Sequence, residues 1–205
     1  MDVACNACGA PLQSVLICAE CGAVQDAGDG LDPFAVFGLE RHFEVDPSDL
    51  RKRLLRFSRQ LHPDFFAGQD SAARELATRN SAELNAAYPR LEDPVRRAEL
   101  LVELGGGPDA SEERQMPQAF LLEVMEWNEA LEELREGSDA ERANALRSEL
   151  TEQREELTGA LGSGLTPLPP EGDGAYRSLR QTLNAIRYVD RALGELTEIH
   201  LKAGA

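Results

Sequence analysis

The chain has 205 residues, enough for one or two domains. Against 21 Lys and Arg stand 37 Asp and Glu, a net charge of −16, which argues against nucleic acid as the main partner because phosphate contacts need a basic surface. Aromatic residues make up only 5%, while Ala, Leu, Glu and Arg dominate, so the composition favours helices over a β-sandwich.

No run of about 18 apolar residues offers a membrane span. The opening Met-Asp-Val-Ala-Cys has neither the basic nor the apolar region of a secretory signal, and it lacks the Arg/Ser-rich character of a transit peptide. A soluble, cytoplasmic, mostly helical protein is expected.

All four cysteines lie in the first 21 residues, as two Cys-x2-Cys pairs, Cys5/Cys8 and Cys18/Cys21, with nine residues between the pairs. Each such turn aims two thiolates at one point, and two turns complete a tetrahedral sulfur site for zinc. Gly9 and Gly22 follow the pairs and permit the positive φ that brings backbone amides to the sulfurs. Two structural disulfides are a rival reading, but nothing here suggests export. A thioredoxin-like redox pair is another, and it explains only one of the two pairs. Segment 1–26 is expected to hold one structural zinc ion and to owe its folding to that ion, with a core separate from the helices. Residues 23–31 are small, acidic and Gly-rich, and read as a linker.

From Asp32 the pattern is helical. Asp32-Pro33 caps a short helix that ends at Gly38. Asp46-Pro47-Ser48 announces a second helix, with Leu50, Leu54, Phe57 and Leu61 on its apolar face. Arg51, Lys52, Arg53, Arg56 and Arg59 make this helix basic within an acidic chain. Either they form a solvated face or they form a positive patch for an acidic partner site. The helix stops at His62-Pro63-Asp64, and a loop over 65–70 follows. A third helix starts near Ser71, with Leu76, Asn80, Leu84 and Tyr88 on one stripe, and Pro89 is expected to end or kink it. Asp93-Pro94 caps a fourth helix that Gly105-Gly106-Gly107-Pro108 ends.

Three longer amphipathic helices come next, marked by Phe120, Leu121, Val124, Leu131 and Leu134, by Leu146, Leu150, Leu157 and Leu161, and by Tyr176, Leu179, Leu183, Ile186, Leu193 and Leu196. A Pro/Gly-rich loop over 162–174 separates the last two, and the three are expected to form a bundle. No serine or cysteine stands in a recognisable nucleophile elbow. His42 and His200 have no neighbours at ligand spacing.

His62-Pro63-Asp64 after a basic amphipathic helix resembles the J domain of chaperone-activating proteins. The wider pattern resembles the HscB family, the J-domain co-chaperones of iron–sulfur cluster assembly. It is carried by Asp32 to Leu39, His62 to Phe66, Leu84-Asn85-Ala86-Ala87-Tyr88, Asp93 to Leu101, Ala119 to Glu123 and Ile186 to Asp190. Some members also carry an N-terminal tetracysteine zinc segment.

The resemblance implies a J domain over 27–108, with an antiparallel helix hairpin among its four helices, and a three-helix scaffold-binding bundle over 109–205. It implies that His62, Pro63, Asp64 and the five cations engage an HscA/DnaK-type chaperone and stimulate its ATPase, the protein itself catalysing nothing. It places an IscU-type scaffold on Leu121, Met125 and Tyr188, with Glu126 and Glu129 as polar neighbours. Periodicity alone leaves open whether those apolar residues are bundle core instead. A J protein for a different client and a thiol or zinc enzyme are the alternatives. The chain departs from the family pattern at Phe65, where a basic residue is usual, at Pro89, and at Leu100, often Tyr.

Overall fold

The computed structural model describes residues 3–28, 30–66, 68, 71–137 and 139–203. Seven α-helices and one 3₁₀ turn are present among them. The only β pairing there is a set of isolated bridges in the cysteine segment: Ala4 with Pro11, Ser14 with Ile17, and Ile17 with Val24. The chain divides into two compact units, Met1–Arg97 and Ala98–Ala205.

In the first unit, helix α1 spans Pro33–Phe37, α2 Pro47–Gln60 and α3 Ser71–Glu92. The carboxylates of Asp32 and Asp46 cap α1 and α2, accepting from Phe34 N at 2.9 Å and from Ser48 N at 2.8 Å. Each satisfies an amide that has no partner within its helix. Phe34, Phe37, Leu50, Phe57, Leu61, Leu84 and Leu91 form the buried centre, and Leu54 is half-buried. The Phe37 and Phe57 rings meet edge to face at 6.5 Å.

Two local expectations change here. Helix α3 runs through Pro89 to Glu92. The carbonyl that Pro89 leaves without an intrahelical donor belongs to Asn85, on the exposed side of the last turns, where water can take its place. Part of the presumed loop over 65–70 is ordered instead, because Pro63–Phe66 forms the 3₁₀ turn. Ala67, Gln69 and Asp70 of that loop, and Asp29 of the presumed linker, lie outside the described residues.

The second unit is built on α5 (Gln118–Glu136), α6 (Ala140–Gly164) and α7 (Ala175–Ala203). Its core joins Phe120, Trp127, Leu131 and Leu134 of α5 to Leu146 and Leu150 of α6 and to Val189 and Leu196 of α7. Helix α6 extends to Gly164, past the expected start of its loop, because Leu161 and Leu165 are buried and Leu165 N bonds Leu161 O at 2.9 Å.

The division between the compact units falls inside helix α4 (Pro94–Leu104). The reason is the company that the end of α4 keeps. Glu99 pairs with the buried Arg180 at 3.0 Å and also with Arg187. Gly172 N bonds Gly105 O at 2.8 Å. A Cβ on Gly105 would lie 2.1 Å from the Tyr176 ring, so only glycine allows this approach.

Leu150 is completely buried in the bundle core. Leu150→Ala should lower the stability of the bundle by roughly 2–5 kcal/mol, as deletion of a core leucine does. Urea unfolding followed at the Trp127 fluorescence checks this, and an unchanged midpoint would contradict the packing.

Candidate functional site

Three groups of side chains are arranged for more than packing. The first is the cysteine cluster. Its two turns are built alike: Gly9 N bonds Cys5 O at 2.9 Å and Gly22 N bonds Cys18 O at 3.0 Å, while Cys5 N bonds Ala10 O and Cys18 N bonds Ala23 O. Both glycines have φ near +70°, a conformation that side chains disfavour.

The four sulfurs all lie within 4.8 Å of one another, and the four residues could hold a metal ion. The Cys5–Cys21 and Cys8–Cys18 separations are 3.7 and 3.8 Å. These are too long for disulfides. They match the edge of a tetrahedron with metal–sulfur bonds of about 2.3 Å, which is about 3.8 Å.

Four thiols so close cannot all ionise alone. The Cys8 amide, with help from Ala7, lowers the Cys5 thiol to about 6. At Cys21 the Ala23 amide acts downward but is outweighed by the Cys8 sulfur, by partial desolvation and by the other two sulfurs, which push the thiol up to about 12. Cys8 is raised as well: the Ala10 amide and Cys21 pull it down, and desolvation, Cys5 and Cys18 outweigh them.

The cluster has no core apart from the helices. Leu16 and Ile17 are buried, and so is the polar Gln25, which the sequence reading assigns to a linker. Gln25 donates from Nε2 to Cys5 Sγ at 3.5 Å and accepts from Asn6 N at 3.0 Å. On α3, the amide nitrogen of Asn80 donates to Leu16 O at 2.8 Å and to Gln25 O at 2.9 Å. Ser14 Oγ donates to Val36 O on α1 at 2.7 Å. Sequence reasoning missed these ties. The available signal was an Asn on an otherwise apolar stripe, which needs partners when buried.

The second group is the outer face of α2 and the turn after it. Arg51, Lys52, Arg56 and Arg59 are exposed. Arg56 lies over the Phe57 ring at 4.6 Å, and Arg51 neighbours the Tyr88 hydroxyl. Arg53 departs from the set in which the sequence reading placed it. Its guanidinium holds Asp49 at 2.7 Å, one helical turn back, and donates to Phe37 O at 3.1 Å and Gly38 O at 3.0 Å, so it ties α2 to α1.

At the end of α2, His62 Nδ1 lies 3.5 Å from Asp64 Oδ2 and accepts from Asp64 N at 3.3 Å. Both side chains are exposed, Asp64 at 90%. Phe66 is buried and anchors the turn, while its neighbour Phe65 is 70% exposed. Pro63 shares the 3₁₀ turn with Asp64.

The third group is on the bundle. Leu121, Met125 and Tyr188 are 41%, 58% and 41% exposed. Of the two readings left open for them, core or surface, their exposure fits surface. Leu121 and Met125 lie one turn apart on α5. The Tyr188 ring reaches across from α7 to Phe120 on α5, with centroids 5.9 Å apart. Leu122, 55% exposed, adds to the same helix end. Glu126 and Glu129 are exposed beside them.

Residues 116–197 match the family model described as the HSCB C-terminal oligomerisation domain. The co-chaperone protein HscB homolog of Mannheimia succiniciproducens is 33% identical over 83% of this chain and 96% of its own length. The chain belongs to the HscB family of co-chaperones. The HscB homolog of Cupriavidus taiwanensis is 39% identical over 72% of this chain and 85% of its own length. A relative from Arabidopsis thaliana, 31% identical over 67% of this chain and 54% of its own length, is an iron-sulfur cluster co-chaperone protein HscB homolog. The crystal structure of human co-chaperone protein HscB is similar over 98% of both chains, with TM-score 0.75 and 25% identity.

An HscB co-chaperone is not an enzyme, and the thiol-enzyme alternative falls with that. The exposed groups on α2 and on the bundle are therefore candidates for binding rather than catalysis. Among the described residues, no helix is long and apolar enough to cross a membrane.

The Cys21 thiol, pushed up to about 12, must lose its proton to bind a metal ion. Binding of a divalent metal ion should therefore release protons near neutrality, and affinity should rise with pH because protons compete for the sulfurs. Titration calorimetry in buffers of different ionisation enthalpy reads the count. Zero release would contradict this account of the cluster.

Proposed function

We propose that this HscB-family protein joins two partners. It binds the ATPase of an HscA/DnaK-type chaperone through α2 and the His62-Pro63-Asp64 turn, and stimulates that ATPase. It presents an IscU-type iron–sulfur scaffold docked on Leu121, Met125 and Tyr188 of the bundle, with Glu126 and Glu129 at the rim. One zinc ion held by Cys5, Cys8, Cys18 and Cys21 is structural, since four thiolates leave no position for a reacting water. It works in the cytoplasm, with neither nucleic acid nor membrane as partner.

The observation that carries this reading is the exposed cationic face of α2, running into an equally exposed His62–Asp64 pair. In a chain of net charge −16, such a face attracts an acidic site on a partner and speeds its encounter. The apolar cluster on α5 and α7, rimmed by carboxylates, has the anatomy of an interface centre.

His62→Gln or Asp64→Asn should abolish stimulation of the chaperone ATPase and leave circular dichroism unchanged, because both side chains lie outside the core. Normal stimulation by either variant would reject the assignment. Arg56→Ala should weaken chaperone binding, and the wild-type affinity should fall with added salt. Arg53→Ala should chiefly lower the stability of the first unit.

Changing Leu121, Met125 and Tyr188 together to Ala should weaken scaffold binding by roughly 2–4 kcal/mol, as loss of interface anchors does. The bundle should melt nearly as before. If scaffold affinity fell only in step with unfolding, the three residues would be acting as core.

A further inference from the structure

We propose that the cysteine segment is a metal-dependent brace for α1 and α3, so that metal occupancy governs the order of the helices that display the His62–Asp64 turn. Through them it governs how strongly the protein stimulates its chaperone, a consequence that rests on the chaperone contact proposed above.

The brace is made of buried polar bonds. Asn80, 1% exposed, sits midway along α3 between the buried Ala77 and Leu84. Its amide nitrogen gives both donors to the cysteine segment, at Leu16 O and Gln25 O. Beside it on α3, Arg79 pairs with Asp26. On α1, Val36 O takes the Ser14 hydroxyl. The Gln13 carbonyl presses so closely on Gly38, the cap of α1, that a Cβ there would lie 1.7 Å from it. Gly38 also has φ +64°. The same cap offers its own carbonyl to Arg53 of α2.

The path from sulfur to helix is short. Cys5 Sγ accepts from the Gln25 side chain, and Gln25 O accepts from Asn80. Between the cysteine turns the segment has only isolated bridges and two buried apolar side chains, Leu16 and Ile17. A segment of this kind owes its order to the ion its thiolates hold. When the ion leaves, Leu16 and Gln25 are no longer fixed, and Asn80 is left with two unpaired donors inside an apolar stripe. Such a group is costly to keep buried, so α3 opens more often.

Hydrogen exchange on the full chain tests this, with zinc bound and after removal by a chelator. Amides of α3 around Asn80, residues 77–87, should exchange at least about tenfold faster without zinc. Those of α7 at 179–196 should not change. Chaperone stimulation by the zinc-free protein should fall several-fold. Gln25→Ala keeps all four thiols and the whole of α3 but breaks the path, and it should shrink the effect of zinc on α3 at least threefold while the ion still binds. Asn80→Ala should give α3 the fast exchange of the zinc-free protein even with zinc present.

Equal exchange of α3 with and without zinc would overturn the brace whatever the ATPase does. So would a zinc effect on α3 that survives undiminished in Gln25→Ala and Asn80→Ala. If zinc-loaded wild type failed to stimulate the chaperone at all, the chaperone reading would fall, and α3 exchange would still decide the brace.

Discussion

Four thiols held within 4.8 Å of one another must either keep most of their protons or share their negative charge with a cation. Much of the first unit is arranged around that constraint. The two turns that gather the sulfurs end in positive-φ glycines and send their backbone back as isolated bridges. That backbone is then the wall against which α1 and α3 pack, through Ser14, Leu16 and Gln25. Electrostatics at the cluster and packing of the helices are thus consequences of one arrangement.

Charge and apolarity are both unevenly spent over the surface. The chain is acidic overall, yet α2 gathers four exposed cations on one face. Arg53, one turn after Asp49, is neutralised inside the unit and serves as a strut. In the bundle, Leu131 and Leu150 are buried while Leu121, Leu122 and Met125, on the same kind of amphipathic helix, are not. Leaving three large apolar side chains in water is unfavourable for an isolated bundle and sensible for one that docks. The family membership and these exposures both fit the binding role proposed above.

Much of this was legible in the residues. Asp32-Pro33 and Asp46-Pro47 start helices because a capping carboxylate and a preset φ leave few alternatives. The cysteine spacing picks out the four residues whose sulfurs lie close enough to hold a metal ion. What was not legible depends on contacts distant in sequence. The register of Asn80 says that it faces inward, but not that its partners lie 64 and 55 residues away. The basic run in α2 does not reveal that Arg53 turns inward to the α1 carbonyls. The triple glycine marks the end of α4 but does not reveal that Glu99 and Gly105 meet Arg180 and Tyr176 of α7. Pro89 breaks no helix because it sits near the end of one, where a missing bond is cheap.

The central claim is that two partners use two surfaces of one chain. The most direct measurement is the NMR footprint of each partner, taken separately and then together. The account predicts that the chaperone ATPase domain shifts amides of α2 and residues 62–66, that the scaffold shifts amides near Leu121, Met125 and Tyr188, and that both sets persist when both partners are present. Overlapping footprints, or displacement of one partner by the other, would contradict it.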